Sequence, residues 1–146
     1  MRYIVSRSTD LKNRFTNEVK APVEFGCIFC QDGDEYTFYT NLVKVLGNAL
    51  EDTVSGYTYL LNKPIGTVSG PLRLVKIRKP SSDRLGKGDA DFNTDYEAFK
   101  KKYQNNPRFE LVKYDTFEML RLSDIHFDVM TCFSNIPKSK NLGIKL

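Results

Sequence analysis

Apolar and polar positions change period several times along the chain, and each change marks an expected element. In "RYIVSRS" (2–8), Tyr3 and Val5 fall on one face, which predicts a short strand, and the polar run "STDLKNRFTNEVK" (8–20) follows as irregular chain. "PVEFGCIFC" (22–30) is rich in β-formers and reads as a strand. Asp32-Gly33 then predicts a hairpin turn, with "YTFYT" (36–40) as the returning strand. Leu42, Val45, Leu46, Ala49 and Leu50 recur at intervals of three and four, so a helix beginning near Asn41 is expected to bury that stripe.

Further on, "GYTYLLN" (56–62) and "GTVSGPLRLVKIR" (66–78) predict two more strands, punctuated by Pro64 and Gly66, with Pro71 marking an edge or a bulge. The breaker-rich "KPSSDRLGKGDADFNTD" places an exposed loop over residues 80–93. Thr94 with Glu97 forms a capping box for a helix over "TDYEAFKKKYQNNP", where Tyr96, Phe99 and Tyr103 line one face and Lys100, Lys101 and Lys102 the solvated one. "FEMLRLSDIHFDVMTCF" (117–133) reads as one long strand, or as two with a break near Ser123-Asp124. No internal repeat is visible. Strands joined mostly by short turns favour an antiparallel barrel, since a parallel sheet needs a helix after nearly every strand.

Composition narrows the class. A chain of 146 residues, 40% hydrophobic and 27% charged, is expected to be one domain spanning 1–146. The net charge of +4 is mild and the cations are scattered, so no nucleic-acid partner is expected. No apolar window reaches membrane-span length and the start has no signal-peptide pattern, which predicts no membrane association. Three cysteines, an odd number, suggest no disulfide framework and a reduced, cytoplasmic setting. Cys27 and Cys30 have Cys-x-x-Cys spacing, but residues three apart on a strand face opposite ways and cannot share a metal. His126 is the one histidine, alternating with Ile125 and Phe127 in an expected strand, so a multi-histidine zinc site is excluded within the chain and no metal is expected. No Ser-His-Asp arrangement, P-loop or dinucleotide fingerprint occurs.

The succession of strand, Asp-Gly turn, "YTFYTN" and amphipathic helix, with "DYEAFKKKYQNNPRF" later leading into "FEMLRLSDIHFDV", resembles the split β-barrel flavoproteins related to pyridoxamine-phosphate oxidase, especially their small members, over roughly residues 22–130. The resemblance implies a mainly β fold with two helices, an antiparallel split β-barrel of six or seven strands. It also implies a homodimer holding FMN between subunits, and a flavin-dependent oxidoreductase. A phosphate dianion is best met by a helix N-terminus with adjacent cations. On that pattern Thr40, Asn41 and Lys44 would meet the phosphate, with Asn62 and Lys63 on a later strand and Arg73 and Lys76 as basic support. The sequence departs from the pattern where Val45 and Leu46 replace expected cations and Pro64 and Ile65 replace an expected glutamine and basic residue. The alternative is a non-catalytic binding protein that kept the barrel without the phosphate clamp, or one that takes haem through His126, or another ligand.

Overall fold

In the computed structural model, which describes residues 1–146, the polar opening segment is a helix, α1 (Arg2–Phe15), rather than a strand and an irregular run. Its buried stripe is Ile4, Val5, Ser8, Thr9, Leu11 and Lys12, a helical spacing in which half the members are polar. Hydrogen bonds make that burial tolerable. Ser8 Oγ donates to the Met130 carbonyl (2.9 Å), Thr9 Oγ1 to the Val5 carbonyl (2.7 Å), and the fully buried Lys12 Nζ to the Val19 carbonyl (3.1 Å) and to Asn13 Oδ1 (2.7 Å). A stripe read from apolar residues alone misses such a helix.

After α1 the chain runs through β1 (Val23–Phe29), α2 (Gly33–Leu46), β2 (Gly47–Thr53), β3 (Gly56–Thr67) and β4 (Gly70–Arg78). The same order then recurs: β5 (Gly88–Phe92), α3 (Tyr96–Tyr103), β6 (Phe109–Lys113), β7 (Glu118–Leu122) and β8 (Val129–Ser134), ending in the short α4 (Lys138–Asn141). All eight strands form one sheet, ordered β2-β3-β4-β1-β5-β8-β7-β6. In each half the first strand pairs in parallel with the last, β1 with β4 and β5 with β8. The halves meet where β1 and β5 pair antiparallel, so the topology is a two-fold repeat that the sequence does not show.

The expected antiparallel split barrel with two helices is therefore corrected to an open, mixed sheet. Its edges, β2 and β6, lie at opposite ends of the strand order, and two of its pairs are parallel. Residues 36–40 are helical, not a returning strand. Asp32 Oδ1 accepts from the Glu35 N–H (2.8 Å), while Glu35 Oε2 accepts from the Gln31 N–H (2.8 Å). Asp followed three residues later by Glu is a helix-start signature, and here it outweighs the Asp-Gly hairpin signal. Helix α2 thus begins eight residues before Asn41 and runs directly into β2 at Gly47, where a Cβ would lie 2.3 Å from the Leu60 carbonyl. The expected stripe is overturned with it. Thr40 and Val43 are buried, whereas Leu42, Val45 and Leu46 are exposed (46, 75 and 48%), and Ala49 and Leu50 belong to edge strand β2.

Residues 80–93 are also not wholly a loop, because Gly88–Phe92 is the central strand β5. Gly88 is required by close approach, since a Cβ there would sit 2.1 Å from the Cys27 carbonyl. The helix α3 is capped one residue later than expected, with Asp95 Oδ1 accepting from the Ala98 N–H (3.3 Å). The segment 117–133 resolves into β7 and β8, and His126 stands exposed in the turn between them rather than on a strand.

The sheet divides two environments. On one face a cluster of 19 buried residues, including Val5, Leu11, Tyr59, Phe92, Phe99, Leu120 and Phe133, packs beneath the first three helices. On the other, Phe25, Cys27, Phe29 and Leu74 form a small apolar floor. Cys27, on β1, belongs to this floor, and Cys30, just past the end of β1, belongs to the larger cluster, so the two thiols do not share a site.

Candidate functional site: a charged cleft on the open face of the sheet

Strand register brings distant residues into line on the face away from α1 and α3. Paired residues in neighbouring strands share a face. One row runs Glu51, Thr58, Lys76, Cys27, Asp89 across β2, β3, β4, β1 and β5. A second runs Asp91, Cys132, Arg121, Glu110 across β5, β8, β7 and β6. Asp89 and Asp91, two residues apart on β5, join the rows at the centre of the sheet. Above them lies a cavity of about 430 Å³, floored by Phe25, Cys27 and Phe29 and walled by Tyr114 and Phe117 of the β6–β7 turn and by Ile136 and Lys138 after β8.

The cavity is charged on both signs. Its lining holds five cations (Lys76, Arg78, Arg84, Arg121, Lys138) and three carboxylates (Glu51, Asp89, Asp91), a difference of +2 when all are ionised. Glu51 is fixed by Lys138 Nζ (2.7 Å) and Thr58 Oγ1 (3.1 Å). Burial works against its charge, yet the Lys138 hydrogen bond and charge hold it below the usual carboxylate range. Lys76 Nζ donates to Thr53 Oγ1 (2.8 Å), and burial lowers its affinity for protons. Arg121 reaches Glu110 (3.3 Å) with one guanidinium nitrogen, while its Nε, like that of Arg78, is buried without a hydrogen-bond partner.

The two aspartates are the most perturbed acids in the cleft. Burial pushes the Asp91 carboxyl up to about 8, the nearby charge of Asp89 adds to the rise, and Ser134 Oγ (3.3 Å) opposes it. Burial also raises Asp89, but only to about 6, because Arg121, Arg84, Arg78 and Lys76 favour its charged form. The Cys27 and Cys132 thiols are pushed well up by burial first and the aspartates next, so they are protonated at neutral pH and poor nucleophiles. No group of three or more His, Cys, Asp or Glu side chains is arranged to hold a metal ion.

Of the seven site residues expected from sequence, the structure brings only Lys76 into this cleft. Thr40 is buried on α2 with its hydroxyl unpartnered, and Asn41 and Lys44 are exposed in the same helix, far from its N-terminus. The helix-start anion site expected at Asn41 is therefore absent. Asn62 and Lys63 are exposed on β3, Asn62 accepting from Asn48 Nδ2 (3.2 Å), and Arg73 donates to the Leu61 carbonyl (3.2 Å). Arg78, which the sequence places with Arg73 and Lys76 as a basic residue able to hold an anion, also lines the cleft, and the residues that sequence reasoning missed are Asp89, Asp91 and Arg121. The visible signal for the first pair was alternation: in "GDADF" polar Asp89 and Asp91 alternate with apolar Ala90 and Phe92, a half-buried strand pattern.

No protein-family model matches the sequence, and no curated protein does. Among solved structures, a structural-genomics protein named EC4020 is similar over 97% of this chain and 86% of its own, with a TM-score of 0.75 at 11% identity. A glyoxalase/bleomycin resistance protein/dioxygenase superfamily member from Vibrio splendidus 12B01 aligns over 78% of this chain and 97% of its own, with a TM-score of 0.45 at 10% identity. The likeness to EC4020 extends over nearly the whole chain and shows a shared fold. Together with the parallel strand pairs, it overturns the resemblance to pyridoxamine-phosphate oxidase relatives. The FMN-binding flavoprotein reading, and the alternative of a barrel stripped of its clamp, fall with that resemblance. None of the helices is long and apolar enough to cross a membrane.

Proposed function

We propose that the protein binds a small organic molecule in the cleft above β5 and moves a proton on it, with Asp91 as the acid and Asp89 as the base. The observation that supports this reading is the aspartate pair itself: two carboxyls on one face of the central strand, raised to about 8 and about 6 by unequal surroundings. Titratable neighbours whose affinities for protons are driven apart are the usual basis of acid–base assignments. The four cations around Asp89 favour its charged form, and the charge of Asp89 in turn favours the proton on Asp91. In the reaction class envisaged, the Asp89 carboxylate takes a proton from carbon beside a carbonyl while Asp91 hydrogen-bonds the carbonyl oxygen. Return of the proton to carbon restores the Asp89 carboxylate and leaves Asp91 protonated, and no electrons leave the pair of molecules. The protonated thiols offer no competing nucleophile.

The test is deuterium exchange beside the carbonyl of pyruvate, 2-oxoglutarate and dihydroxyacetone phosphate, followed by proton NMR. The wild-type chain is expected to accelerate exchange in at least one of them, and Asp89→Asn to lose the acceleration by roughly a hundredfold or more. The rate should rise as pH passes about 6 and fall above about 8, since the active form has Asp89 ionised and Asp91 protonated. No acceleration with any of the three, together with both carboxyls titrating near 4 by carbon-13 NMR, sinks the proposal.

A further inference from the structure

The geometry points to an organic anion carrying a flat aromatic ring as the occupant of this cleft, an inference that rests on the preceding reading for the location of the site. Charge is the first support. Five cations against three carboxylates leave the lining electropositive even with every acid ionised. Unmatched donors are the second. Arg78 on β4 and Arg121 on β7 stand on opposite sides of the β5 carboxyls, and each buries an Nε with no acceptor. Buried donors are nearly always paired, so the missing acceptors leave both guanidinium groups short of partners, and their outer nitrogens are the ones a ligand in the cavity can reach. A guanidinium offers forked donors suited to carboxylate or phosphate oxygens.

The third support is the shape of the apolar surface. Phe25 and Phe29 lie on the floor, and Tyr114 and Phe117 stack on one wall with ring centroids 4.5 Å apart and planes 17° from parallel. Such surfaces favour a ring laid against them over an aliphatic chain. A cavity of about 430 Å³ suits one small molecule. Carboxylate and phosphate heads share the chemistry that the two arginines recognise, and the probes below separate them.

The test uses the full chain and four probes: benzoate, phenyl phosphate, inorganic phosphate and benzamide. Binding is followed by calorimetry and by chemical-shift changes of the Phe25, Phe29 and Phe117 rings. Benzoate or phenyl phosphate is expected to bind at least tenfold tighter than inorganic phosphate and benzamide. Arg121→Gln and Arg78→Gln should each weaken that probe by roughly tenfold or more, and Arg121→Lys less. A melting temperature close to wild type confirms that each variant is folded; if Arg121→Gln unfolds, Arg121→Lys and Phe117→Leu carry the test. Benzamide binding as tightly as benzoate overturns the anion, and phosphate binding as tightly as phenyl phosphate overturns the ring. If none of the probes binds, the inference fails. Exchange on pyruvate would still stand as a result for the proton-transfer reading, and ring anions that bind while none of the three oxo compounds exchanges and both aspartates titrate near 4 would sink that reading while leaving this one.

Discussion

At the scale of single residues, the stored electrostatic cost of the cleft should be visible as pH-dependent stability. Asp91 has an ordinary affinity near 3.8 when unfolded and about 8 when folded. Between those values the folded state holds more protons than the unfolded state, so stability falls as pH rises through the window. Asn at this position keeps the shape and removes the charge. Asp91→Asn is therefore expected to match wild type near pH 4 and to exceed it by about 1–3 kcal/mol above pH 8. Urea denaturation at pH 4, 7 and 9 measures it, and parallel curves would show that the carboxyl is not strained. A gain of stability on removing a site residue is the usual mark of a group kept for function.

Helices and strands show which parts of the fold could be read locally. Helix α3 was legible because its apolar residues, Tyr96, Phe99 and Tyr103, are also its buried ones. Helix α1 was not, because Ser8, Thr9 and Lys12 occupy the buried stripe and depend on partners as distant as Met130. The α2 stripe was misread for the opposite reason. Leu42, Val45 and Leu46 are apolar yet face outward, and the packing surface is Thr40 and Val43 with half-buried Tyr36 and Tyr39. Paired substitutions separate the two readings. Val43→Asp should cost roughly 3 kcal/mol or more by burying an unpaired charge, whereas Val45→Asp should change stability by about 0.5 kcal/mol or less. Thermal unfolding of both variants decides it, and the reverse ranking would return the stripe to the core. Strand β5 was the costliest miss, since its glycine and two aspartates resemble a loop until Cys27 on β1 supplies the neighbour.

For the whole molecule, the decisive information is which strands pair, and that is long-range. Parallel pairing of β1 with β4 and of β5 with β8 joins residues about 50 positions apart in the first half, as in Cys27 with Lys76, and local patterns carry no trace of it. The site inherits this remoteness: Lys76, Asp89, Asp91 and Arg121 become neighbours only once the register is set. The two halves are also welded. The β1–β5 pair runs through the middle of the sheet, and one apolar cluster draws Tyr59 and Ile77 from one half and Phe92, Leu120 and Phe133 from the other. Unfolding is expected as a single transition, with far-ultraviolet and near-ultraviolet circular dichroism superimposing. Two separated transitions would show halves that stand independently.

A cleft lined by two equivalent half-units bears on how such a protein changes over generations. Cys27, Lys76 and Arg78 descend from one half, and Asp89, Asp91, Arg121 and Cys132 from the other. Rewriting the acids of the second half leaves the strands that carry Lys76 and Arg78 untouched, and the reverse holds as well. A lineage built on this plan can change the acids of one half while the arginine of the other stays in place to hold part of the old ligand.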